Sequence, residues 1–247
     1  MTNNKICRLC GKSALLRNSH ILPEFLYARA YDDIHRALEL GREERVERFI
    51  QQGYREELLC DACEGQFNRY ETYFKRTWFD AQPLPTKLEP GIRVHTIDRL
   101  DYKLFRLFHL SLLWRASVSE HEMFEHVVLG LHEERVRRLL LAEDPGAPEL
   151  YHWMATVIMS DGGVWDHVIT QPVARKIDGR TVYVFVFGGC VWFYVVSGAP
   201  LKRFIPLAFG KDGRQTLLVT HARDIGVLRA FFEDFFRRGG PGSWVPR

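Results

Sequence analysis

Apolar residues recur along this chain in two textures. Up to about residue 142 they fall at helical spacing, and from Tyr151 onward they gather into short continuous runs. From Asp61, Phe67, Tyr70 and Phe74 lie on one side of a 3.6-residue period, which predicts a helix to about Trp78. Residues 98–117, DRLDYKLFRLFHLSLLWRAS, predict an amphipathic helix with Leu104, Phe108 and Leu112 on its apolar side. Residues 119–142 predict a further helix or pair that includes LHEERVRRLLL. Residues 24–52 also read as helical. EFLYARAYDDIHRALEL has no Gly or Pro, and GREERVERFIQQG carries Glu and Arg at helical spacing. The later runs, YHWMATVIM, VWDHVIT, TVYVFVFG, CVWFYVVS and KRFIPLAF, are β-branched and aromatic and end at Gly, Pro or Asp-Gly, which predicts strands. ARDIGVLRAFFEDFFRR, residues 222–238, predicts a closing helix.

Punctuation divides the chain. Residues 1–23 read as a knuckle and a short hairpin, with GK at 11–12 as the tight turn and Pro23 as the stop. YREELLC reads as a short strand. DAQPLPTKLEPG, residues 80–91, holds three prolines and is the expected domain boundary. The expected organisation is an N-terminal unit over 1–80 with a helical insertion at about 24–52, a linker over 81–97 and a second unit over 98–247. That second unit is expected to be α+β: two helices, an antiparallel sheet of about four to six strands and the closing helix. The whole chain is therefore expected to be α+β.

Composition narrows the class. Of 247 residues, 46% are apolar and 26% charged, as in ordinary globular proteins. No run approaches the ~18 uncharged apolar residues of a membrane-spanning helix, so no membrane association is expected. MTNNKICRLC lacks the apolar core of a signal peptide, and a cytoplasmic location is expected. A net charge of +3 permits a nucleic-acid partner without arguing for one.

Four of the five cysteines form two Cys-x-x-Cys pairs, Cys7 with Cys10 and Cys60 with Cys63, separated by 49 residues. In a reducing compartment such pairs read as thiolate ligands of one structural Zn2+ rather than as disulfides. Four thiolates close the tetrahedron, so this metal would not be catalytic. Metal affinity would instead stabilise a segment too short for much core of its own. Cys190 lies in an apolar run and reads as a small buried hydrophobe.

His20, in NSHILP, follows the first pair by ten residues. Spacing alone allows either a satisfied structural histidine or a functional one. Glu64, Asn68 and Glu71 recur at i, i+4 and i+7 after the second pair and share one helical face, whose plain alternative is solvation. The remaining histidines form no cluster at ligand spacing. Arg29, Arg36, Arg42, Arg45 and Arg48 are interleaved with acids, and a solvated face competes there with phosphate contacts.

The string C-x2-C, S-H-I-L-P, L-L-C-x2-C-E-x3-N resembles the HNH endonuclease family in its zinc-stabilised treble-clef, or ββα-metal, form. The resemblance covers about residues 5–75. It implies that His20 is the general base activating water against a DNA phosphodiester. It also implies a catalytic divalent ion, Mg2+ or Mn2+, with Glu64 as first choice of ligand, Asn68 second and Glu71 third. Arg17, Lys75 and Arg76 are the expected contacts to the nucleic-acid backbone. Two positions depart from the family pattern: Ser19 stands where an Asp is usual, and Glu64 where Asn or His is usual. By analogy with standalone members, a role in prokaryotic genome defence or a mobile element is expected, with the second unit engaging a protein partner, a target or a regulator. The competing reading is a zinc-stabilised module that binds nucleic acid or protein without catalysis.

Overall fold

The computed structural model describes residues 4–31, 37–39, 48–87 and 93–226. The fold is α+β, with the cysteine pairs in its first part and an antiparallel-rich sheet in its second. β1 (Lys5–Ile6) pairs antiparallel with β2 (Ser13–Ala14) around the CRLCGK turn, where Gly11 takes a φ of +74° that favours a residue without Cβ. β3 (Leu16–His20) follows. An excursion comes next, containing α1 (Glu24–Tyr27) and the antiparallel pair β4 (Ala37–Glu39) and β5 (Arg48–Ile50). The chain returns as β6 (Arg55–Cys60), antiparallel to β3 with Leu16 opposite Cys60 and His20 opposite Arg55. α2 (Asp61–Phe74) starts at once from Cys60, and the helix continues over Lys75–Asp80 with π geometry. Knuckle, hairpin and helix thus follow one another in the expected order.

The helical reading of 24–52 is corrected. Among the described residues of that stretch, helix is confined to the four residues of α1, and Ala37–Glu39 and Arg48–Ile50 are strands. Glu–Arg spacing stabilises a helix by only about 0.2–0.5 kcal/mol per pair, which yields easily to strand pairing. The rest of that expectation, including Arg36, Arg42 and Arg45, lies outside the described residues, as does the closing helix beyond 226.

In the second part, β7 (Val94–Ile97) precedes α3 (Tyr102–Val118) and α4 (Leu131–Leu141). The remaining strands are β8 (Trp153–Ser160), β9 (Gly163–Val164), β10 (Thr170–Ile177), β11 (Arg180–Phe187), β12 (Cys190–Val196) and β13 (Gln215–His221). They form one sheet in the order β10-β11-β12-β8-β13-β7, with β9 paired to β8. β13 runs parallel to β8, and the other pairs are antiparallel. Three readings change. KRFIPLAF forms a 3-10 turn at Lys202–Leu207, where Pro206 cannot donate to a ladder. VWDHVIT contributes little beyond β9, and the edge strand is the more polar TQPVARKI. β7 comes from the segment expected to be linker.

α3 is not amphipathic in place. Every residue from Phe105 to Ala116 is buried, because α2 and α4 pack on this helix and its Phe105 and His109 rings meet Trp153 and Trp192 of the sheet. One cluster of buried side chains runs from Leu9 and Phe67 through Phe108 to Trp192 and Leu217, across the proline-rich segment. Phe74 sits at its centre. Its ring lies 3.9 Å from that of Phe108 at 13°, and it also meets Phe25, Trp78 and Trp192. Among the described residues no helix is long and apolar enough to cross a membrane.

Phe74→Ala should remove contacts to α1, α3 and β12 together and cost about 3–5 kcal/mol. Because the core is continuous, denaturant unfolding followed by tryptophan fluorescence and by circular dichroism should show one coincident transition with a lowered midpoint.

Candidate functional site

Two backbone reversals bring the four cysteines together. Cys7 and Cys10 flank the β1–β2 turn, while Cys60 ends β6 and Cys63 lies in the first turn of α2. The knuckle is pinned by Cys7 N–H to the Lys12 carbonyl at 2.9 Å and Arg8 N–H to the Leu58 carbonyl at 3.0 Å. All four sulfurs lie within 4.8 Å of one another, and Cys10 Sγ is 3.8 Å from Cys60 Sγ. A tetrahedron with Zn–S bonds of about 2.3 Å has edges of about 3.8 Å, so the donor set suits a closed structural metal such as zinc. Among the described residues these cysteines are the one group of three or more metal-binding side chains whose ligand atoms converge.

The surroundings favour thiolates. Burial raises the Cys7 pKa, but backbone N–H groups of Cys10, Cys60 and Leu9 outweigh that and bring it down to about 7. Cys60 N–H lies 3.3 Å from Cys7 Sγ. The amino end of α2 also meets the cluster, where the helix dipole favours negative charge.

Successive residues of β3 face opposite ways, and this decides what meets α2. Ser19 is fully buried and donates to Glu64 Oε2 at 2.5 Å. His20 therefore turns away from α2. Its partly exposed ring places Nε2 2.9 Å from Glu24 Oε2. Glu24 also accepts Tyr31 Oη–H at 2.6 Å and Gly53 N–H at 3.0 Å, and the Arg55 guanidinium lies 3.7 Å away. A Cβ at position 53 would fall 2.6 Å from the Tyr27 ring, so this approach depends on glycine. Burial opposes ionisation of Glu24, but the bonds from Tyr31, Gly53 and His20 prevail and hold it below the usual carboxylate range. Burial and the Arg55 charge lower the His20 pKa below 6.5, against the opposing pull of Glu24.

The geometry thus gathers the cysteines as expected, yet brings Ser19, not His20, onto Glu64. Asn68 is exposed one turn further along α2. Glu71 forms a 2.7 Å ion pair with Arg115, a fully buried residue of α3. Burial raises the Glu71 pKa and Arg115 counters it. The same Arg115 nitrogen donates to the His20 carbonyl at 2.7 Å. Glu71 is therefore engaged in anchoring β3 rather than turned to an ion. Arg17 pairs with Asp61 at 2.5 Å, and Lys75 and Arg76 are exposed on the π turn.

Glu24, Arg55 and Arg115 carry no sequence motif. The one available signal was Glu24 four residues past His20. No protein-family model, curated protein or solved structure matches the chain.

Arg115→Ala should leave Glu71 buried without its cation and the His20 carbonyl without its donor. The expected cost is about 3–5 kcal/mol, measured by chemical denaturation. Glu71→Gln, which keeps a hydrogen-bond acceptor, should cost less.

Proposed function

We propose that the chain is a metal-dependent endonuclease of HNH type that hydrolyses DNA phosphodiester bonds, with His20 as general base. The observation that carries this reading is the His20 imidazole itself. It stands partly exposed at the end of a strand in the hairpin beside the cysteine centre, with one ring nitrogen tethered to a carboxylate. Nε2–H donating to Glu24 leaves the Nδ1 lone pair for water, and a pKa below 6.5 keeps the ring neutral at pH 7. Arg115 fixes the backbone behind the ring, so the base is positioned before substrate arrives.

A divalent ion, Mg2+ or Mn2+, would be held by Glu64 with Asn68 and would neutralise charge on the scissile phosphate. One carboxylate plus substrate phosphates is a sufficient donor set for Mg2+. Exposed Lys75 and Arg76 favour backbone contacts to the DNA. The Ser19–Glu64 bond favours a second reading, a zinc-stabilised binding module without catalysis, since a hydroxyl stands where a metal-binding carboxylate would serve better.

Purified protein should nick supercoiled plasmid in Mg2+ or Mn2+. His20→Ala should slow nicking by about 10²–10⁴-fold while its zinc content and circular dichroism stay unchanged. Wild-type protein that shifts DNA in a gel but never cuts it with either metal would establish the binding reading. The nicking rate should be flat from pH 7 to 8 and fall on acidification at a pH below 6.5, as His20 gains its proton. Glu24 raises the His20 pKa, so Glu24→Gln should move that acid limb to still lower pH.

A further inference from the structure

We infer that Arg137, on α4 in the second part of the chain, supports the cysteine centre through a single peptide unit and couples metal occupancy to the seating of α4. Leu9 lies between the first two cysteines, fully buried, and its carbonyl accepts a hydrogen bond from Arg137 Nη1. The guanidinium is aimed. Glu134, one turn earlier, takes its other two edges, Nε at 2.6 Å and Nη2 at 3.0 Å, which leaves Nη1 for the knuckle.

That carbonyl belongs to the peptide whose N–H is that of Cys10. It lies in the knuckle that carries both Cys7 and Cys10, whose sulfurs belong to the gathered set. A cationic donor on the oxygen of a peptide polarises it and makes its N–H a stronger donor. Arg137 thus holds the Leu9–Cys10 peptide, and with it the placing of the first two sulfurs. Four thiolates around a divalent ion keep a net charge of −2, and a fixed guanidinium beside them offsets part of it.

The rest of α4 rests on the same unit. Val136 and Leu140 are fully buried, Gln66 of α2 donates to the Leu140 carbonyl at 2.6 Å, and Arg69 of α2 pairs with Glu143 at 2.7 Å. If Arg137 favours the metal-bound knuckle, bound metal favours the seated helix by the same factor. Arg138 supplies a control, since it pairs with the same Glu134 at 2.8 Å from a largely exposed position.

The test uses full-length protein and Zn2+. Zinc affinity is measured by competition with a chromophoric chelator for wild type, Arg137→Ala, Arg137→Lys and Arg138→Ala. Hydrogen exchange of residues 131–141 is followed with zinc and after its removal, with β11 and β12 as internal reference. Arg137→Ala should weaken zinc binding by about 10–100-fold, and Arg137→Lys by less. Arg138→Ala should change it less than about fivefold. Removing zinc should speed exchange in α4 relative to the reference strands. Arg137→Ala that holds zinc as wild type does, an equal loss in Arg138→Ala, or a protein that binds no zinc would each overturn the inference. Should Arg137→Ala fail to fold, unchanged protection of α4 in zinc-free wild type would overturn it alone.

Discussion

Four cysteine sulfurs within 4.8 Å of one another repel as thiolates and gain little as thiols, and the cluster could hold a structural cation that would make their convergence favourable. Much of the local geometry depends on that convergence. It joins the β1–β2 knuckle to the start of α2, and so fixes the return of β6 beside β3. The β3–β6 register then determines which residues of SHILP face the helix and which face outward. A one-residue slip would carry His20 into the place of Ser19 and Ile21 into that of His20, putting an imidazole against Glu64 and leaving Glu24 an apolar neighbour.

α3 carries the constraint into the rest of the molecule. Polar side chains on this buried helix act as connectors. Arg115 reaches the His20 carbonyl and Glu71 in the N-terminal part, while Arg106 donates to the Pro145 and Leu150 carbonyls in the C-terminal part. Between them His109 bonds Tyr194 at 2.6 Å inside a shell of Phe105, Trp153 and Trp192 rings, and burial holds its pKa well below the usual value. The candidate base is therefore anchored from behind by the helix that forms the centre of the common core.

The places where pattern reading failed share a cause. β10 is an edge strand with Pro172 and exposed Arg175 and Lys176, so it lacks the apolar run that marked β11 and β12. β7 looked like linker because a four-residue edge strand offers little periodicity. The charged stretch after Tyr27 satisfied helical spacing, yet its described residues include the strands β4 and β5. β8 and α3 were recognised as elements by their apolar content, but only their burial on both sides explains why neither has a wet face.

The sequence by itself determined the ligand set and its chemistry, because two Cys-x-x-Cys pairs can chelate one ion whatever surrounds them. It also determined α2, α3 and the central strands, where hydrophobic period and β-branching are local properties of the chain. Tertiary structure alone decided which neighbour each polar side chain meets. Whether Glu64 faces Ser19 or His20, whether Glu71 meets an ion or Arg115, and whether Arg137 reaches solvent or the knuckle depend on register and on elements tens of residues away. Those separations leave no periodic trace in the chain, since the energy of each contact is realised only after the core has closed around it.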